Sequence, residues 1–286
     1  MNEFSKLPFV KGCIIQKYFG AEKALQMAHD KKCSHYYLDC TLDENSLSTW
    51  TPDRIKSIKS KMEKYNIQAV VHGRDTLPIA HKVKEIRKAA IDVIKQEIEF
   101  ATSFSNQLVI HGGQIQSSRN VQLTKILANS LLIESLHELM DYASQHDIQL
   151  LLENQSNFKH SYPFYNIFCI KEDYDAVLTA IPDMKMVLDV GHMNVNNSDY
   201  VATIQRYHKN IKALSLSDNN GIKDSHSKVG TGTVNWKMLI ELLVDLQWSG
   251  MIVFETPSAE IEDNQDHIVN TMKLTRKSDE IDQEVY

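Results

Sequence analysis

With 286 residues, 42% of them apolar and 24% charged, the chain is long enough to bury about three quarters of the surface it exposes when unfolded. A net charge of −6 lacks the basic footprint of a nucleic-acid binder, although a local basic rim is compatible with an acidic total. No run of about eighteen apolar residues is present, which excludes a membrane-spanning helix, and Met1 to Pro8 lack the apolar core of a secretory signal.

Short apolar runs alternate with amphipathic stretches along the whole chain. The first strand is expected at Gly12–Gln16, and a helix over Ala21–Lys31 opens after Gly20. Tyr36–Cys40 is the second strand. The helix after it, Pro52–Tyr65, has Thr51 as N-cap and proline at its first position, a strong start signal. Gln68–His72 and Gln107–His111 are strands on either side of a long helix, Lys84–Phe104, and Gln149–Glu153 follows the helix Thr124–His146. Lys185–Asp189, Lys212–Leu216 and Met251–Glu255 complete the strands, with helices at Asp173–Ala180, Tyr200–His208, Trp236–Leu246 and roughly Glu262–Leu274. The strands are runs of Val, Ile, Leu and Tyr, as buried parallel strands require, and the long helices repeat apolar residues at three- and four-residue spacing.

Eight strand–helix pairs fit a (β/α)8 TIM barrel of the α/β class, spanning residues 1–286 as a single domain. A doubly wound open sheet competes with it, because both give the order βαβα. No Pro/Gly/Ser linker, short-period repeat or low-complexity segment interrupts the pattern, and the charged tail Thr275–Tyr286 is expected to fray. Cys13, Cys33, Cys40 and Cys169 show no CxxC spacing and read as free, mostly buried thiols, which makes a reducing cytoplasm the expected location.

Strand after strand ends in a metal-binding residue type. The third ends in His72, the fourth in His111, the fifth in Glu153-Asn154, the sixth in Asp189-Val190-Gly191-His192 and the eighth in Glu255. In a barrel these ends meet on one face, where active sites are built. One such residue has an ordinary explanation as a cap or a loop partner; five strands with the same feature are harder to explain that way. Converging Glu153, Asp189 and Glu255 would repel one another without a cation between them. Imidazoles and carboxylates together suit Zn, Mn, Co or Fe, and the ligand types do not choose among these. After the seventh strand, Asp224 and His226 stand two apart and can face one ion from an extended segment; a solvated polar loop is the alternative. Gly230-Thr231-Gly232 would let backbone amides approach a phosphate or sugar oxygen, a weak signal alone.

The ordered set His72, His111-Gly-Gly, Glu153-Asn, Asp189-Val-Gly-His192, Leu216-Ser-Asp218, Asp224-Ser-His226, Gly230-Thr-Gly232 and Glu255 resembles the xylose-isomerase-like TIM barrel superfamily over nearly the whole chain. The set is specific for the superfamily but not for a branch. Resemblance to the sugar isomerase and epimerase branch implies Glu153, Asp189 and Glu255 as ligands of a divalent metal (Mn, Zn, Co or Mg). The two glutamates would also act as acid and base in proton abstraction α to a carbonyl, and His192 would hold a substrate hydroxyl. Resemblance to the endonuclease IV class implies three metal sites instead: His72, His111 and Glu153; Glu153, Asp189 and Glu255; and His192, Asp224 and His226. A water activated there would attack a phosphodiester.

One departure bears on both branches. The family has a histidine on the seventh strand where this chain has Ser215, so the central site lacks one donor and a barrel that has lost catalysis stays open as a third reading. Asn154, Arg74 and Ser215 are the candidate substrate contacts; Arg74 and Arg119 are also candidates for a single phosphate, and Tyr162, Phe164 and Tyr165 for a pocket wall or for core. The expected partner is a small sugar or sugar phosphate. The acidic balance weighs against nucleic acid, no membrane partner is implied, and relatives in the superfamily are often dimers or tetramers, which allows a homo-oligomer.

Overall fold

The computed structural model describes residues 10–14, 20–116, 120–157 and 164–283. Its elements are, in chain order, β1 (Val10–Ile14), α1 (Ala21–Asp30), β2 (His35–Asp39), α2 (Pro52–Tyr65), β3 (Gln68–His72), α3 (Lys84–Ala101), β4 (Gln107–His111), β5 (Gln114–Gln116) and α4 (Val121–Ser144). They continue with β6 (Gln149–Glu153), β7 (Phe164–Asn166), α5 (Lys171–Ala180), β8 (Lys185–Asp189), α6 (Val190–Val195), α7 (Tyr200–Tyr207), β9 (Ile211–Leu216), α8 (Trp236–Asp245), β10 (Met251–Phe254) and α9 (Ile261–Gln283).

Eight parallel strands close in the order β1-β10-β9-β8-β6-β4-β3-β2. Closure rests on β1, which pairs with β2 on one side and β10 on the other, so the open doubly wound alternative does not describe this sheet. Helices cover the outside, an α/β arrangement consistent with a TIM barrel. Among the described residues no helix is long and apolar enough to cross a membrane.

Side chains alternate along a strand, and this splits the apolar residues into two groups. Leu108 and Ile110 of β4, like Leu150 and Leu152 of β6, join the large cluster between sheet and helices. Tyr37, Val70, Val109, Leu151, Val187, Ala213, Met251 and Val253 form a separate cluster inside the barrel. That inner layer is the floor on which the site is built.

The helix signals act as read. Thr51 Oγ1 accepts from Arg54 N at 3.2 Å at the start of α2, and Asn66 closes the helix in the left-handed conformation at φ 53°. Two expectations need correction. The last helix does not end near Leu274; its backbone runs on to Gln283. The antiparallel pair β5–β7 and the short helix α6 were not anticipated. The end of the expected first strand at Gln16, Arg119, Tyr162 and the last three residues lie outside the described residues. Cys33, Cys40 and Cys169 are free and buried.

Candidate active site

Two residues beyond every inner-layer residue but Met251, on the same face, stands a polar side chain. Tyr37 leads to Asp39, Val70 to His72, Val109 to His111, Leu151 to Glu153, Val187 to Asp189, Ala213 to Ser215 and Val253 to Glu255. The period of two therefore stacks a ring of donors on an apolar floor at the carboxyl ends of the strands. All seven are buried.

One side of the ring is rich in histidine. His72 Nε2 and His111 Nε2 each lie 3.6 Å from Glu153 Oε2, and the two imidazoles meet edge to face with centroids 4.9 Å apart. Burial works against the charge on Glu153, but His111 and His72 beside it hold its carboxyl below the usual range. Asp39, which the sequence reading did not single out, lies 3.5 Å from His72 Nδ1 on the far side of that ring.

On the other side, Asp224 Oδ2 stands 3.1 Å from both His192 Nε2 and His226 Nε2. His226 Nδ1 lies 2.9 Å from the Glu255 carbonyl oxygen and 3.4 Å from Glu255 Oε2. His226 sits at φ 47°, a left-handed backbone that costs a non-glycine residue about 1–3 kcal/mol and tends to occur at functional sites. Burial raises the Asp189 carboxyl to about 7; His192 opposes the rise, and Glu255, Asp224 and Glu153 add to it. Burial disfavours the His192 imidazolium, yet Asp189 and Asp224 raise it to about 10. The loop residues Asp224 and His226 thus join the strand ends in one electrostatic unit.

The donor set fits a divalent metal. One ligand atom each from His72, His111 and Glu153 lie within 4.8 Å of one another, as do one each from Glu153, Asp189 and His192. Two donors at about 2.0–2.2 Å from a tetrahedral ion are about 3.4 Å apart, so spacings of 3.6 Å are long for hydrogen bonds and right for ligands of a shared ion. Glu153 Oε2 and Asp189 Oδ2 are buried without a hydrogen-bond partner among the described residues, a costly state that a cation relieves.

The profile of the xylose isomerase-like TIM barrel family matches residues 36–278. The chain belongs to this family. An uncharacterised protein of Methanocaldococcus jannaschii is 27% identical over 211 residues, covering 72% of this chain and 70% of its own. Fructoselysine 3-epimerase of Shigella flexneri is 20% identical over 211 residues, covering 70% and 72%. The crystal structure of a D-tagatose 3-epimerase-like protein superposes with a TM-score of 0.78 at 19% identity, covering 94% of this chain and 99% of that one.

Within this xylose isomerase-like barrel, other candidate residues have local partners. Asn154 is fully buried and clasps Asp189, donating to its carbonyl at 3.0 Å and accepting from its amide at 2.7 Å. That pair ties β6 to β8, and His192 Nδ1 lies 2.8 Å from the Asn154 carbonyl oxygen. Arg74 is turned to the buried Glu97, with Nη1 2.7 Å from Oε1. Ser215 donates to Glu255 Oε1 at 2.6 Å, so its hydroxyl holds a neighbouring glutamate. Gly230 N donates to Asp218 Oδ2 at 3.0 Å, so that amide is not free for a phosphate. Phe164 is exposed and Tyr165 half-buried in β7, with the Lys125 ammonium 5.6 Å from the Tyr165 ring.

Proposed function

We propose that the chain is a metal-dependent isomerase or epimerase of a small keto sugar, polyol or sugar phosphate, acting as one domain by proton transfer at the carbon α to a carbonyl. The observation that carries this reading is the placing of Glu153 and Glu255 on the inner face of β6 and β10, with buried Asp189 on β8 and Ser215 on β9 between them. Two carboxyl groups across a shared site can remove a proton from one face of a carbon and return one to the other. Glu153, kept ionised by His111 and His72, is in the form that accepts a proton. Ser215 fixes the orientation of Glu255. His192 is the residue we assign to a substrate hydroxyl, which would have to share or displace Asp224 Oδ2, 3.1 Å from Nε2. Glu153, Asp189 and Glu255 are the ligands we assign to the metal, although the ligand atoms that lie within 4.8 Å of one another are those of Glu153, Asp189 and His192 and of His72, His111 and Glu153, with Glu255 in neither group. A divalent cation there supplies Lewis-acid polarisation of the substrate's carbonyl oxygen. The names of the related fructoselysine 3-epimerase and the D-tagatose 3-epimerase-like structure support a sugar substrate.

The test is turnover of a panel of ketoses and ketose phosphates in heavy water, followed by NMR. Deuterium should enter at the carbon next to the carbonyl. Glu153→Gln and Glu255→Gln should each lower kcat by about 100-fold or more with the fold intact. Wild-type rates in either variant would sink the two-glutamate mechanism.

A second reading, a multi-metal phosphodiesterase of the endonuclease IV type, has its own observation. Both the His72, His111 and Glu153 group and the His192, Asp224 and His226 group are assembled at short range. Elemental analysis separates the two readings: about one Mn, Co or Mg per chain supports the epimerase, and two or three Zn with hydrolysis of an aryl phosphodiester supports the nuclease chemistry.

A further inference from the structure

We propose that Asp39 is a positioning residue for His72, holding the imidazole proton on Nδ1 so that Nε2 presents its lone pair to a divalent cation beside His111 and Glu153. The inference rests on the metal-dependent reading above, with an ion on the His72, His111 and Glu153 group as well as, or in place of, one on the carboxylates. It starts from register: Asp39 and His72 are paired residues at the ends of β2 and β3. Both are buried, at 3% and 6% exposure, where an imidazole and a carboxylate are costly to keep apart from partners. Asp39 Oδ1 lies 3.5 Å from Nδ1, a buried nitrogen that makes no hydrogen bond among the described residues and so lacks a partner unless the carboxylate closes on it, while the opposite ring nitrogen is 3.6 Å from Glu153 Oε2. The ring thus lies between a carboxylate that faces the metal group and one that does not.

Asp39 is itself fixed. Its Oδ1 accepts from Thr41 N at 2.9 Å and from Thr41 Oγ1 at 2.6 Å, and its carbonyl oxygen accepts from Asn45 Nδ2 at 2.8 Å. Asn45 Oδ1 in turn accepts from Ala21 N, the first residue of α1, at 3.0 Å. The Tyr37 ring lies against His72 at 5.7 Å between centroids. A carboxylate anchored in this way sets the tautomer and the plane of a ligating histidine, and loss of such a partner weakens metal affinity by about 10–100-fold.

The experiment uses the full chain with 15N-labelled histidine. Co2+ affinity is measured by titration for the wild type and Asp39→Asn, and the zinc-loaded wild type is examined by long-range proton–nitrogen NMR, with His72 assigned through His72→Gln. Expected are a metal-bearing Nε2 and a protonated Nδ1 at His72, and an affinity about 10–100-fold lower in Asp39→Asn. Metal on Nδ1, or an unchanged affinity in Asp39→Asn, overturns the proposal. If Asp39→Asn does not fold, the wild-type spectrum alone decides. A wild type that binds no Co2+ or Zn2+ overturns the metal reading itself, and with it the purpose assigned to Nε2.

Discussion

Ser215 faces Asp189 across one strand pair and Val253 across the other, fully buried, with its hydroxyl bonded to Glu255 Oε1. A hydrogen bond to a buried carboxylate is worth more than a neutral one, so Ser215→Ala should cost about 1–3 kcal/mol in denaturant unfolding and lower kcat more than it raises KM. Unchanged stability and kinetics would remove Ser215 from the site. Ser215→His places an imidazole between the strands that carry Asp189 and Glu255. It has to fit a packed position, which costs about 1–3 kcal/mol, but it should tighten metal binding in calorimetry; equal affinity would mean that Ser215 does not occupy the ligand position. Arg74 makes the opposite case. Glu97, fully buried, has its carboxyl raised by burial and lowered by the Arg74 guanidinium. Arg74→Ala strands that carboxyl and should destabilise the fold by about 3 kcal/mol, toward the lower end for a broken buried pair because Arg74 is partly exposed. A raised KM with unchanged stability would instead restore Arg74 as a substrate contact.

Among the elements, the segment between β9 and α8 depends on one side chain. Asp218 is fully buried and accepts from Asn219 N, Gly230 N, Val234 N and Trp236 Nε1 at 2.9, 3.0, 3.3 and 2.7 Å. A Cβ on Gly232 would meet Asn219 O and Asp218 Oδ1 at 2.2 Å, so only glycine lets the loop close over this carboxylate. Asp218→Asn turns one acceptor into a donor facing N–H groups. It should cost more than about 2 kcal/mol and expose the Asp224–His226 loop to proteolysis, and a variant as stable and protease-resistant as wild type would rule out this role. The barrel strands were legible within a residue or two because buried parallel strands are short apolar runs between helical patterns. Strand-end donors were legible because a charge ending such a run is conspicuous. Asp39 was not, since it sits inside the polar-tinged run Tyr36-Tyr37-Leu38-Asp39-Cys40 and only the shared inner face with Tyr37 identifies it. The helix α6 had a readable start, Asp189 capping His192 N, hidden by reading Asp189 as a ligand alone. The pair β5–β7 has three residues a side, too short for any periodicity.

At the scale of the whole molecule, the ring of donors makes stability depend on pH and metal together. In the metal-free protein Asp189 titrates at about 7, well above its unfolded value of 3.8, because burial disfavours its charge. The folded chain therefore binds the extra proton between those values, and the stability from this group is lost as pH rises toward 7. His192 acts with the same sign at higher pH: it is raised from 6.5 to about 10, so its contribution is complete below 6.5 and disappears as pH rises toward 10. Glu153 and Asp224, both held low, contribute in the opposite sense, and only below the ordinary carboxylate range. The metal-free barrel should accordingly lose stability as pH rises through neutrality, first through Asp189 up to about 7 and then through His192 up to about 10. A divalent ion takes deprotonated ligands, so its binding releases protons and strengthens over the same interval. Thermal melts with EDTA and with saturating Mn2+ or Zn2+ should diverge as pH rises, with the gap in Tm larger at pH 8 than at pH 6. A gap that is constant or shrinks with pH would mean that these carboxylates and imidazoles do not hold the ion, because Asp189, His192 and His72, all raised in the metal-free protein, would have to give up protons to bind it.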